Sequence, residues 1–390
     1  MAETPAAIER DGFAARLAVF YAGLFAALGI HMPFLPLWLA AKGLDAQAIG
    51  VVLAAPLVVR IVTVPLATAA ADRWDALRGV IAVAAVAAPL AYVAAGLSSQ
   101  FVAILITVCL AAATYTSMFP LADAYALRGL AARGRAYGPI RLWGSAAFIL
   151  GSVGAGFAAD LMQPVHFIWL IVAGFCLTAL TASGLAPLAA PAVGLRKQSA
   201  LKFFLSPAFL LVTGAASLTQ ASHAVYYGFA TLSWSAAGFD GRLIGALWAL
   251  PVVAEIILFA GAERLPPALR GITLLTLGAV GAVLRWSVMA FDPSIPVLML
   301  VQCLHAFSFA ATHLGSIAFL ARAAPGGHGA TAQGAFNLVL GFVMAAAMAL
   351  SGRLYETHGS RAYLAMAAAA LVGGIMALAA QRLWRDEKGP

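Results

Sequence analysis

Five full charges interrupt long apolar runs in this chain: Arg60, Asp123, Arg141, Glu255 and Arg285. His31, His223, His305 and His313 lie in similar surroundings. A charge at the middle of a bilayer costs roughly 2.5–3.5 kcal/mol on insertion scales, so each of the five needs a partner and a purpose. A carboxylate in a low-dielectric site is held between desolvation, which favours its neutral form, and a nearby cation, which favours its charged form. In that balance it can load and release a proton. A guanidinium grips a carboxylate through two parallel hydrogen bonds. The chemistry these residue types offer is proton exchange and anion binding.

Residues 219–229, TQASHAVYYGF, add a polar stripe to one of the apolar runs. On a helix Gln220, His223 and Tyr227 fall at i, i+3 and i+7 and share a face, which predicts a polar space for that face to line. Bond-making chemistry is not indicated. His305 and His313 are eight residues apart, not the four of a helical metal pair, and no third ligand stands out. Gly315-Ser316 lacks the flanks of a nucleophile elbow. Cys109, Cys176 and Cys303 stand alone within apolar runs, with no disulfide framework or metal knuckle. The expectation is no enzyme, no metal and no cofactor.

The elements that must carry these residues are membrane helices. Hydrophobic residues make up 63% of the 390, charged residues 10%, and the mean hydropathy is +0.95. A soluble domain is about 45–50% apolar and about 25% charged, so the surplus requires lipid. A formal net charge of +8 raises the question of nucleic acid. The basic residues are scattered through short connections between apolar runs, however, which is the pattern of membrane orientation. The N-terminal MAETPAAIERDGFAAR is too mixed in charge for a signal peptide.

A bilayer core takes about 20 apolar residues per helix. The runs predict twelve spans, at 16–40, 46–71, 78–97, 100–127, 138–160, 164–186, 206–234, 242–262, 270–291, 295–321, 329–352 and 359–381. With the N-terminus inside, sixteen of the 23 Lys and Arg fall in inner segments, four in outer segments and three within spans. That asymmetry places both termini in the cytoplasm.

The two halves echo each other. IGVVLAAPLVVR at 49–60 aligns with IGALWALPVVAE at 244–255, an offset of 195 residues. Ile-Gly, the proline and a terminal charged residue recur in place. Two parallel six-helix repeats about an axis along the membrane normal, with substrate bound between them near mid-membrane, is the architecture such an echo implies. The reading is an all-α membrane protein: an N-terminal six-helix bundle at 1–186, a cytoplasmic linker at 187–205 and a C-terminal bundle at 206–390, around a central cavity. Arg60 and Glu255 occupy equivalent places in the second and eighth helices.

Depth sorts the charges into partners. At 1.5 Å per residue, Asp123 lies about 8 Å from the cytoplasmic end of the fourth helix and Arg141 about 5 Å into the fifth, so a hairpin brings them together. Glu255 and His313 share a depth of about 12–14 Å from the inner surface, while Arg285 and His305 lie about 9 and 15 Å from the outer surface. The expected chain is Glu255 with His313 below and Arg285 with His305 above. Three intramembrane arginines against two carboxylates leave one positive charge over, which an anionic ligand would neutralise.

Five blocks carry a family resemblance: YGPIRLWGSAAFILGS (137–152), QASHAVYYGFATLSWSAAGF (220–239), IGALWALPVVAEIILF (244–259), LRWSVMA (284–290) and LHAFSFAATHL (304–314). Together they resemble the 3-phenylpropionate permeases of the major facilitator superfamily. The resemblance implies a bacterial inner-membrane, proton-driven importer of a small organic substrate, and the expected functional unit is a monomer. A more distant similarity is to lactose-permease-type proton symporters. It implies substrate binding by Asp123 and Arg141, with proton coupling through Glu255, Arg285 and His305 or His313. Phe148 stands where those permeases carry a stacking Trp. The superfamily's loop signature, roughly G-x-x-x-D-R-x-G-R, survives as TAAADRWDALR, with Thr68 and Asp75 at its glycine positions. Asp72, Arg73 and Arg78 are the residues it implies for a cytoplasmic gate.

The expected substrate-binding set is Asp123, Arg141, Phe148, Gln220, His223, Tyr227, Arg60 and His31. Its ligand is an aromatic or other small carboxylic acid, imported with protons by alternating access. Two other readings stand beside it: uptake of a neutral sugar or nucleoside, and efflux by antiport. Antiporters of the superfamily carry a Gly-Pro element on the fifth helix, whereas GSAAFILGSVGAGF here has the glycines without the proline.

Overall fold

The computed structural model describes residues 12–188, 201–266, 269, 271–324 and 329–388. The middle of the expected linker, 189–200, and residues 1–11 lie outside the described residues. Every regular element among the described residues is helical. In chain order they are α1 (Phe13–Ala41), α2 (Ala46–Arg73), α3 (Leu77–Leu97), α4 (Phe101–Ala131), α5 (Tyr137–Ala159) and α6 (Phe167–Ser183). A single turn at Leu201–Phe204 precedes the second set: α7a (Pro207–Ala221), α7b (Ala224–Ala236), α8 (Gly241–Gly261), α9 (Ile272–Met289), α10 (Ile295–Ala323), α11 (Gly329–His358) and α12 (Tyr363–Lys388).

Among the described residues, ten stretches are long and apolar enough to cross a bilayer. One of them, Thr331–Leu383, holds both α11 and α12. The expected span at 206–234 is missing from the ten because it is divided into pieces of 15 and 13 residues. Inside lipid, backbone carbonyls freed by such a break must be satisfied within the protein. Ser222 Oγ donates to the Thr219 carbonyl at 2.6 Å and His223 Nδ1 to the Gln220 carbonyl at 3.0 Å. Helix α10 is irregular too, with a π-turn at Ala306–Ala311.

Two compact units organise the chain. The first holds Met1–Leu44, Val58–Ala192 and Gly238–Ala249; the second holds Asp45–Leu57, Val193–Ala237 and Leu250–Pro390. Helices α2 and α8 change unit midway, beside Pro56 and Pro251, the prolines that the internal repeat shares.

In the first unit α1 packs on α5 and α6, and α3 on α4 and α6. Lipid is as apolar as leucine, so membrane helices associate through close packing at small residues. A Cβ on Gly29 of α1 would strike the Phe148 carbonyl, and one on Gly151 of α5 would strike the Ala26 carbonyl. Ser152 Oγ donates to the Gly29 carbonyl at 3.1 Å across the same contact. This seam sets the height of α5, and with it Arg141, against α1. In the second unit α9 packs on α12 and on the π-turn of α10. Gly278 and Gly281 of α9 lie against Thr312 and Phe307 with no room for a side chain, which sets Arg285 beside His305.

The repeated Ile-Gly has a packing reason in both copies. Gly50 lies against Gly352 within the second unit, and Gly245 against Ser152 and Gly156 within the first. Large apolar side chains such as Leu90, Leu97, Leu150, Leu161 and Leu300 are exposed, as a lipid-facing surface requires.

Candidate functional site

Polar side chains collect in two places, one in each unit. In the first unit Asp123 of α4 is half-buried, and its Oδ1 accepts hydrogen bonds from Tyr21 of α1 at 2.6 Å and Tyr137 of α5 at 2.7 Å. Among the described residues no ion pair joins Asp123 to Arg141, the partner that depth alone suggested. The Arg141 guanidinium instead lies over the Phe25 ring at 4.0 Å and near the Tyr21 ring at 5.6 Å. Phe25 meets Phe119 edge to face. A half-buried cation is thus spread over an aromatic wall, with a carboxylate held nearby by two phenols. A cation over an aromatic face gains about 0.5–2 kcal/mol, which helps keep Arg141 off Asp123.

His31 is placed elsewhere in the same unit. Its Nε2 lies 2.6 Å from the Tyr92 hydroxyl, within a box of rings from Tyr92, Tyr115 and Phe175. Arg60 is half-buried and interacts electrostatically with Tyr115. Phe148 is buried at the α1–α5 seam. Trp143, two residues after Arg141, is exposed.

In the second unit Arg285 is the hub, with 0% of its surface exposed. Nη2 donates to Gln302 Oε1 at 2.6 Å, and Nη1 donates to His305 Nδ1 at 2.9 Å and to Ser308 Oγ at 3.5 Å. The guanidinium lies against two neighbouring rings, Tyr226 at 4.6 Å and Trp286 at 4.5 Å. Beyond His305, its Nε2 lies 3.7 Å from Glu255 Oε2. Burying an ion costs several kcal/mol even after relaxation. Here three neutral acceptors, two rings and one carboxylate across an imidazole offset that cost.

Glu255 therefore faces His305 and not His313. The reason is local: His305, Phe309 and His313 stack in sequence along α10, at 5.0 and 6.3 Å between ring centres, so Phe309 separates the two histidines. His313 also meets Phe259. The stripe at 219–229 lies in this same network. His223 is fully buried, bonded through Nε2 to Ser308 Oγ at 3.1 Å, stacked against Tyr227 and met edge to face by Trp286. Gln220 Nε2 donates to the Phe309 carbonyl at 3.4 Å, and Trp286 Nε1 to Ser222 Oγ at 2.8 Å.

At the α2–α3 connection Asp72, Arg73 and Arg78 are exposed. Asp75 takes the polar contact there, pairing with Arg128 of α4 at 2.7 Å. Its φ is 44°, in the left-handed region that favours glycine and tolerates Asp. Asp75 thus occupies a signature glycine position whose backbone still has the glycine conformation.

Sequence reasoning missed Tyr21, Phe25 and Tyr137 in the first cluster, and Gln302 and Ser308 in the second. A signal for the latter exists. Gln302, His305 and Ser308 recur every third residue in an apolar run, a polar stripe as regular as the one at 220–227.

Residues 14–365 match the model of the MFS_1 like family. The chain is 30% identical over 364 residues to the "Probable 3-phenylpropionic acid transporter" of Escherichia coli (strain K12), covering 91% of this chain and 94% of that protein. It is 29% identical over 293 residues to the "Maltose permease" of Geobacillus stearothermophilus, covering 72% and 73%. Among solved structures, the nucleoside transporter NupG superposes with a TM-score of 0.79 at 16% identity, covering 95% of this chain and 99% of that one. A bacterial homolog of the human lysosomal transporter Spinster superposes with a TM-score of 0.75 at 12% identity, covering 98% of each. These structures share the all-α fold, and both relatives named from sequence are transporters, not enzymes. The chain is a multi-pass membrane transporter of the major facilitator superfamily, and it belongs to the MFS_1 like family.

Proposed function

We propose that this transporter imports a small aromatic carboxylic acid together with protons across the bacterial cytoplasmic membrane by alternating access, as a monomer with both termini inside. One observation carries the reading: the Arg141 guanidinium lies on the face of Phe25 with no carboxylate partner among the described residues. An aromatic acid needs a fork of donors for its carboxylate and a ring wall beside them, and both are in place. The name of the Escherichia coli relative supports the same class of ligand. For proton coupling the support is the line from Arg285 through His305 to Glu255, in which a carboxylate shares an imidazole with a buried cation.

A second reading, uptake of a neutral sugar or nucleoside, draws on the maltose permease relative. Purified protein in proteoliposomes separates the two. Additions of 3-phenylpropionate, maltose and uridine are followed by external pH, with protein-free vesicles as control because the undissociated acid crosses lipid unaided. Alkalinisation above the control with 3-phenylpropionate alone is the expected result. A response to maltose or uridine, with none to the acid, transfers the assignment to the second reading. Binding of the acid that survives neutralisation of Arg60, Arg141 and Arg285 removes the anion from the proposal.

A further inference from the structure

Donor chemistry sets the direction of the hydrogen bonds around Arg285. A carbonyl only accepts, so His223 Nδ1 carries the hydrogen that meets the Gln220 carbonyl, and the neutral ring offers Nε2 as an acceptor. Ser308 Oγ, 3.1 Å away, supplies that hydrogen. Arg285 only donates, so Ser308 Oγ and His305 Nδ1 accept from it, and His305 Nε2 keeps the hydrogen that points to Glu255. All hydrogens run outward from the guanidinium, toward the Gln220 carbonyl on one side and the Glu255 carboxylate on the other. A guanidinium does not surrender its protons, so the two imidazoles cannot exchange one through it. A serine hydroxyl rotates and can reverse.

We propose that Ser308 is the positioning residue that makes His223 a second proton-carrying group of this transporter, beside Glu255. A proton arriving at His223 Nε2 from the open aqueous side turns Ser308 from donor to acceptor. Ser308 Oγ then faces two donors, His223 and Arg285, and two cations lie side by side where there was one. That repulsion weakens the hold of the network on Arg285, and loss of the proton to the other side restores it.

The groups around His223 are accounted for on each packed element. On its own helix it meets Gln220 and Tyr227, with Tyr226 adjoining. From α9 come Arg285, joined through Ser308, and Trp286. From α10 come His305, Ser308 and Phe309. Tyr363 at the start of α12 stacks behind Trp286, and Tyr355 of α11 is bonded to Ser233. Glu255 of α8 is reached through His305. The helix break at Ser222–His223 and the π-turn holding Ser308 meet at this hydrogen bond, and π-turns of this kind recur at functional sites.

This inference rests on the proton-coupled reading above, and its test separates the two. Full-length protein in proteoliposomes, with 3-phenylpropionate as probe, is assayed for exchange, for accumulation driven by an imposed proton gradient, and for the pH profile between about pH 5 and 8. Ser308→Ala is expected to lower driven accumulation about tenfold more than it lowers exchange and to flatten the profile, with Ser308→Thr recovering both. His223→Asn should behave likewise, and the double variant should be no worse than either single one. A coupled wild type with an unaltered Ser308→Ala, or losses that multiply in the double variant, overturns this proposal alone. A wild type indifferent to the gradient overturns both. Should Ser308→Ala not reach the vesicles, Ser308→Cys, similar in shape with a weaker hydrogen bond, carries the same comparison.

Discussion

In the first unit Asp123 and Arg141 have Tyr21 as a common neighbour yet make no ion pair with each other, and both are half-buried. In the second unit Arg285, His305 and Glu255 form a continuous line, and Arg285 is sealed from solvent. The ingredients are alike: one guanidinium, one carboxylate and rings on every side. The commitments differ. The donors of Arg141 are free to receive a ligand, while both Nη groups of Arg285 are engaged, by Gln302, His305 and Ser308. An open pair of charges suits recognition. A line of hydrogen bonds that ends in an imidazole–carboxylate contact suits a switch, because a change of charge at one end is felt at the other.

Variants can break this contrast in order of size. Glu255→Gln removes the carboxylate that ends this line, so uphill accumulation should be lost while exchange is far less affected. Driven uptake at the wild-type level would show that the second cluster is not the coupling site. Arg141→Lys keeps the charge and loses the planar fork, and binding of 3-phenylpropionate should weaken about tenfold, or about 1.4 kcal/mol. An unchanged Kd would take Arg141 out of recognition. Tyr137→Phe deletes one of the two phenol donors to Asp123 and should cost about 0.5–1.5 kcal/mol in the stability of that corner, read as a lower Tm. His313→Leu touches a residue stacked outside the network, and both driven uptake and exchange should stay within about twofold of wild type. A large loss there would return His313 to the proton path.

The helices themselves were legible because apolar run length reports directly on bilayer thickness. Glycines at offset 195 could be read as a repeat, and both turn out to sit at close helix contacts. Pairing was less legible. Depth along a helix follows from residue number, but which face a side chain takes and who competes for it do not. Asp123 and Arg141 share a depth, yet Tyr21, 102 residues from Asp123, supplies the bond instead. Glu255 and His313 also share a depth, and Phe309 stands between the histidines. The π-turn leaves no trace in hydropathy, since its residues AFSFAA read as any apolar helix.

The division of α7 at Ser222–His223 bears on how the chain enters the membrane. Neither 15 nor 13 residues spans a bilayer that requires about 20, so the two pieces must be threaded by the insertion machinery as one passenger. That passenger carries Gln220, Ser222 and His223 before their partners on other helices exist. Trp286 and Ser308, which later bond Ser222 and His223, are made more than sixty residues afterwards. Biogenesis of the seventh span therefore waits on the ninth and tenth, and a chain truncated before Trp286 should leave this segment poorly retained in lipid.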